Sequence, residues 1–129
     1  MNRSPIALLV AAAWFPASPT FAHHSFAAYE DARTLTLTAT VETFKWSNPH
    51  TVFQVLTQES GAAAPAEWNI ETSAPGILQR FGWNRGSIKP GDRVVVVINP
   101  MRDGSHSGRL HTVTLVDTGQ VLKTKLSGF

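Results

Sequence analysis

Thr34-Leu35-Thr36-Leu37-Thr38-Ala39-Thr40-Val41-Glu42-Thr43-Phe44-Lys45-Trp46 decides the fold. Leu35, Leu37, Ala39 and Val41 alternate with threonines at 34, 36, 38 and 40, the period-two pattern of a strand with one buried face. The apolar phase then switches, because Phe44 and Trp46 fall on the opposite parity. A bulge near Glu42-Thr43 restores both sets to one side and bends the strand sharply.

Outward from that bent strand the elements follow in a legible order. Ser47-Asn48-Pro49-His50 is a turn, in which Pro fixes φ and Asn bonds its own backbone. Residues 52–56 read as a second strand, the alanine-rich stretch 61–65 closes a hairpin, and Ala66, Trp68 and Ile70 mark the inward face of a third. A short helix is expected over 74–81. Thr72 or Ser73 can cap it, Pro75 suits its first turn, and Gly82 can take the left-handed position that ends it. Trp83 then falls where it packs back on the helix, against Leu78. Lys89-Pro90-Gly91-Asp92 has Pro and Gly where a type II turn needs them. Residues 94–98 are an uninterrupted apolar strand, expected to be central and covered on both faces. A polar loop over 99–108, a fifth strand over 110–116 and a short trailing strand or arm over 120–126 complete the chain.

Strand, strand, strand, helix, strand, strand with a bent first strand is the order of a five-stranded OB-like Greek-key barrel, mainly β, with one short helix between strands 3 and 4. A small two-sheet sandwich is the alternative, and the single helix at that point favours the barrel. In an OB fold the binding surface is the face of strands two and three, flanked by the loop joining strands one and two (L12) and the loop joining strands four and five (L45).

Residues 1–22 are set apart from the fold. Arg3 stands beside the initiator amine, residues 6–15 are an apolar core, and Pro16 to Ala22 is a helix-breaking run ending Thr20-Phe21-Ala22. That is the three-part layout of a secretory signal peptide. A membrane-spanning helix needs roughly 20 apolar residues, and Pro16 and Pro19 interrupt the run well before that, so no stable membrane span is expected. Cleavage is placed after Ala22, with Ala17 and Ala28 as alternatives. The expected compartment is periplasmic or secreted, with residues 23–33 an N-terminal arm and residues 34–126 the barrel domain.

Of the 11 Lys and Arg in the sequence, one lies in the leader, so the remainder nearly balances 9 Asp and Glu. A chain this close to neutral offers no electrostatic case for binding nucleic acid or an anionic membrane surface. Cysteine is absent, so stability rests on packing, and any metal site must use nitrogen or oxygen ligands.

Cleavage after Ala22 would give His23 a free α-amine and an imidazole on one residue, which together close a chelate ring on a metal. A second imidazole from elsewhere completes a flat three-nitrogen site, an arrangement that suits Cu(II) above the other common divalent ions. His50 in the L12 loop is the first candidate for that nitrogen, His24 an assistant, and His106 in the L45 loop a further candidate ligand. His111 shares its alternation phase with Val113 and Leu115, so it is expected inward as a hydrogen-bonded core residue. For the His23-His24 pair the bland reading is polar surface, for His50 a turn residue capping a carbonyl, and for His106 a solvated loop. Trp46, Trp68 and Trp83 are read as core.

Enzyme signatures are scarce: there is no Gly-x-Ser-x-Gly elbow, no phosphate loop and no His-Glu-x-x-His helix. Glu67 and Glu71 share a strand phase, but they alternate outward from Trp68 and Ile70 and are expected on a solvated face. Asp103-Gly104-Ser105-His106 gathers carboxylate, hydroxyl and imidazole in a glycine loop, whereas a catalytic triad is assembled in space. The sequence therefore supports a small binding domain for a divalent metal, copper first. The alternative is a metal-free module holding a small molecule, a peptide or an envelope protein partner.

His23-His24-Ser25-Phe26 after a leader, Trp46-Ser47-Asn48-Pro49-His50, Gly82-Trp83, Lys89-Pro90-Gly91-Asp92 and Asp103-Gly104-Ser105 together resemble a family of small exported bacterial proteins known only as a domain of unknown function. The resemblance covers nearly all of the chain after the leader. It implies that His23, His24 and His50 belong together, because the paired histidines and the Asn-Pro-His turn recur jointly in that family. His106 and His111 match nothing in its pattern, and Thr72-Ser73-Ala74-Pro75-Gly76 departs from its usual Ser-Pro helix start. No activity comes with the resemblance.

Overall fold

The computed structural model describes residues 28–57 and 65–124. The leader, His23, His24, Phe26, most of the alanine-rich stretch and the end of the trailing strand lie outside them. Six strands form one sheet in the order β3-β2-β1-β4-β5-β6, with β3 also pairing β5. They are β1 (Leu35–Lys45), β2 (Val52–Thr57), β3 (Ala66–Glu71), β4 (Arg93–Pro100), β5 (Ser107–Leu115) and β6 (Val121–Lys123). The β3–β5 pairing is parallel, Ile70 opposite Gly108 and Glu71 opposite Arg109, whereas every other ladder is antiparallel. It joins the two ends of the five-strand order and closes the sheet into a barrel with OB-like topology, β6 being one extra strand.

β1 serves both halves of this barrel. Its residues Leu35 to Thr40 pair with β4, and Ala39 to Lys45 pair with β2. The bulge falls where the phase switch placed it: Val41 faces Val55 and Thr43 faces Gln54, leaving Glu42 as the extra residue. Val41 and Phe44 consequently both turn toward the core, and the Phe44 ring meets the edge of Phe53 at 6.3 Å.

The interior is built from Val41, Phe53, Val55, Trp68, Ile70, Val94, Val96, Ile98, Leu110 and Val113. β4 is central in the sheet, as its apolar run suggests, but only one face is sealed, since Val95 and Val97 are half-buried. A barrel has one interior, and among the described residues no second layer covers the outer row.

Between β3 and β4, α1 (Pro75–Leu78) continues as a 3-10 turn over Gln79–Phe81. The N-cap is Ala74, with no side-chain cap, so neither Thr72 nor Ser73 plays the expected part. Their backbone is instead held just beyond the β2–β3 ladder: Thr72 N–H donates to Thr51 O, and Ser73 O accepts from Thr51 N–H. Gly82 ends the helix at φ 83°, and Trp83 N–H returns to Leu78 O at 3.2 Å. Both Leu78 and Trp83 are buried, and the indole N–H donates to Lys123 O. The Lys89–Asp92 turn forms with Gly91 at φ 92° and Asp92 N–H bonded to Lys89 O.

His111 does not follow the simple alternation. The β4–β5 ladder pairs Val97 with Thr112 and Ile98 with Leu110, so His111 is the additional residue in a second bulge. Leu110 and Val113 go inward around it, and His111 is left half-buried.

Candidate functional site

The described part of the arm is bound to the barrel by its backbone. Arg102 N–H donates to Ala28 O, Glu30 N–H to Pro100 O, and Tyr29 bridges Met101. These contacts run alongside the end of β4 and the start of the L45 loop. Asn99, in β4 and only 1% exposed, completes the attachment. Its amide nitrogen reaches Arg33 O at 2.7 Å, Glu30 O at 3.1 Å and Asp31 O at 3.4 Å. Its oxygen accepts from Arg109 and pairs with the His111 ring. His111 is thus hydrogen-bonded, as its sequence context suggests, though to a buried amide from a bulge and not from within the core. Arg109 also bonds the Asp31 carboxylate and lies over the Tyr29 ring, 5.5 Å from its centre.

Tyr29 carries the arm to the L12 loop. Its hydroxyl donates to Glu71 Oε2 at 3.2 Å, and Glu71 Oε1 stands 3.3 Å from His50 Nδ1. The same Nδ1 is 3.2 Å from Thr72 O. Both neighbours of Nδ1 are acceptors, which matches the tautomer with its proton on Nδ1 and its lone pair on Nε2. Among the described residues none pairs with Nε2. The His50 side chain is 49% exposed. Carbonyl capping, one of the two alternatives in the sequence, is thus met by Nδ1.

His106 goes elsewhere. Its ring stacks on Trp68 at 4.8 Å and 15°, while its backbone oxygen accepts from Asn69 N–H. The L12 and L45 loops thus meet β3 within three residues of each other, but their histidines take separate partners. Among the described residues no three His, Cys, Asp or Glu side chains gather into a metal-holding group.

Glu71 departs from its solvated expectation: its side chain is 30% exposed and joins Tyr29 to His50. Glu67 does lie outside, accepting from Gln54. Asn99 and Arg109 are the other residues that strand periodicity missed. Their hydrogen-bond partners in the arm lie 66 to 78 positions away in sequence, and no local pattern encodes such contacts.

The family model of DUF6152, a family of unknown function, matches residues 10–111. The chain belongs to this family. The DUF6152 match spans every arm, loop and strand residue placed around His50 here, from Tyr29 to His111. No curated protein and no solved structure matches the chain.

Tyr29 is the only tyrosine of this DUF6152 chain, so its ionisation can be read without ambiguity. Burial first, then the charge and hydrogen bond of Glu71, push its hydroxyl up from 10.0 to about 12, with Arg109 pulling it down. A hydroxyl that ionises later when folded stabilises the fold fully below pH 10, and the contribution is lost as pH rises from 10 through 12. Tyrosinate absorbance should show a midpoint near 12 in the native protein and a lower one in Glu71→Gln. A native midpoint at 10 would mean that the ring is not docked on Glu71.

Proposed function

We propose that this protein is an exported, periplasmic binding domain for a divalent metal, Cu(II) before others. The metal would be held at the L12/L45 end by the His23 α-amine, the His23 ring and His50 Nε2, with His24 assisting. The observation that carries the reading is the state of His50: Nδ1 is committed to Thr72 O and Glu71, and Nε2 is presented from a half-exposed turn.

Three further points support it. The donors are nitrogens in a chain with no cysteine, the set that favours Cu(II) over softer or harder ions. The arm is fastened at Ala28, beside L45, and His23 lies five residue steps before Ala28. A chain spans at most about 3.6 Å per residue, so His23 has roughly 18 Å of reach from that anchor. Tyr29, next to the anchor, is already joined to His50 through the two oxygens of one carboxylate. His106, stacked on Trp68, is the weaker candidate because its ring lies against a different partner from the Glu71–His50 pair that the arm reaches.

The test compares protein beginning at His23 with protein carrying one extra residue before it, by Cu(II) titration and EPR. The extension turns the amine into a peptide nitrogen. It should cost more than the roughly 10–100-fold that losing a supporting contact around a metal typically costs. His50→Ala should remove one nitrogen from the EPR pattern. Equal, weak affinity in the two proteins would overturn the reading. It would favour a metal-free module that binds a small molecule, peptide or envelope partner through the barrel face, since face binding is indifferent to the terminal residue.

A further inference from the structure

We infer that Glu71 is the positioning residue of this site, fixing the His50 ring with one carboxylate oxygen and the N-terminal arm with the other. The inference rests on the reading of His50 as a ligand and extends it to a residue that touches no metal.

A histidine at 49% exposure on a turn has freedom about both side-chain torsions, and a freely turning ring is a poor ligand. Two acceptors limit it here. Thr72 O is backbone, held by the hydrogen bond between Thr72 N–H and Thr51 O. Glu71 is a side chain and would be mobile too, were its other oxygen not taken by the Tyr29 hydroxyl at 3.2 Å. That hydroxyl is itself fixed. Tyr29 is 5% exposed, its backbone bridges Met101, and the Arg109 guanidinium lies over its ring. Arg109 sits opposite Glu71 in the parallel β3–β5 pairing that closes the barrel. The carboxylate is therefore set by the closure of the fold and by the docked arm together.

This arrangement does two things for Nε2. It holds the ring in the one orientation that keeps both Nδ1 contacts, since turning it over loses them. It also sets a carboxylate oxygen 3.3 Å from Nδ1, the kind of outer partner that fixes the tautomer of a ligating histidine. Because the arm that supplies Tyr29 is the arm that leads back to His23, docking of the arm and orientation of His50 depend on the same group.

The experiment uses the full chain processed to His23, with Cu(II) alone as probe. Glu71→Leu should weaken Cu(II) binding by about 10–100-fold. Glu71→Gln keeps an acceptor oxygen for the Nδ1 proton and should recover most of that loss. Tyr29→Phe keeps the buried ring and removes only the hydroxyl, so it should move affinity in the same direction by a smaller factor. Nitrogen NMR of the copper-free protein, with His50 assigned against His50→Ala, should show the proton on Nδ1. Wild-type affinity and an unchanged EPR spectrum in Glu71→Leu would overturn the inference, as would a proton found on Nε2. Should mature and extended proteins bind copper equally and weakly, the ligand reading falls, while the tautomer measurement still decides whether Glu71 orients the ring.

Discussion

Gly108→Ala should be among the most damaging single-methyl changes in this barrel. A Cβ at that position would stand 2.6 Å from Ile98 Cδ1 and 2.9 Å from Asn99 O. The first clash can be relieved by a rotamer, but the second is with backbone and cannot. Gly108 lies where β5 meets Ile70 of β3 on one side and Pro100 of β4 on the other, at the seam that closes the sheet. Overpacking of this kind costs about 1–3 kcal/mol, and the upper end applies because the neighbouring group is a ladder carbonyl. For a domain of this size about 3 kcal/mol lowers Tm by roughly 12–20 °C. Thermal and urea unfolding of Gly108→Ala measure it. The comparison is Gly76→Ala, in α1 with nothing within 4 Å of the added carbon, which should be neutral or stabilising by up to about 1 kcal/mol. Equal stability of the two variants would mean that β3 and β5 do not approach as closely as the pairing requires.

Gly108 also shows where the sequence stops being informative. The phase switch at Glu42 was visible because Val41, Phe44 and Trp46 all keep apolar side chains on either side of it, and the register shift sits there. The Gly82 stop and the Lys89–Asp92 turn were visible because each uses a glycine at positive φ, a local requirement. The bulge at His111 was hidden, since the alternation through Leu110, Val113 and Leu115 can be counted in either phase until the β4 partner is known. Helix capping failed for a similar reason: Thr72 and Ser73 are good caps in isolation, but their backbone is held by Thr51 across the sheet. In the site itself, His50 was picked out by its turn and by the family resemblance. Glu71 was read as solvated because strand parity says only that it points out of the barrel. It does point out, and the arm then covers it with Tyr29. A contact between residues 42 positions apart, supplied by a segment without periodicity, leaves no trace in the alternation of either one.

Asn99 makes three of the arm's hydrogen bonds to the barrel with one side-chain amide, and the arm's hold can be measured there. Its nitrogen serves carbonyls of Glu30, Asp31 and Arg33, and its oxygen serves Arg109 and His111. Removal of a buried partner costs about 1–3 kcal/mol for each group left without one. Asn99→Ala should therefore lower stability by roughly 2–4 kcal/mol if some of the arm's carbonyls regain water. The loss should be local before it is global. Glu30 and Arg33 N–H groups, bonded to Pro100 O and Glu30 O, should exchange with solvent faster, and the Tyr29 midpoint should fall from about 12 toward 10. Asn99→Asp sharpens the argument. It keeps the shape and the acceptor oxygen that Arg109 and His111 use, but it sets a second acceptor against three carbonyls. If the donated hydrogen bonds fasten the arm, Asp must be at least as harmful as Ala despite being nearly isosteric. A milder effect of Asp would assign the anchoring to Arg109 and Asp31 instead, and copper affinity in the two variants would then follow that ion pair and not the amide.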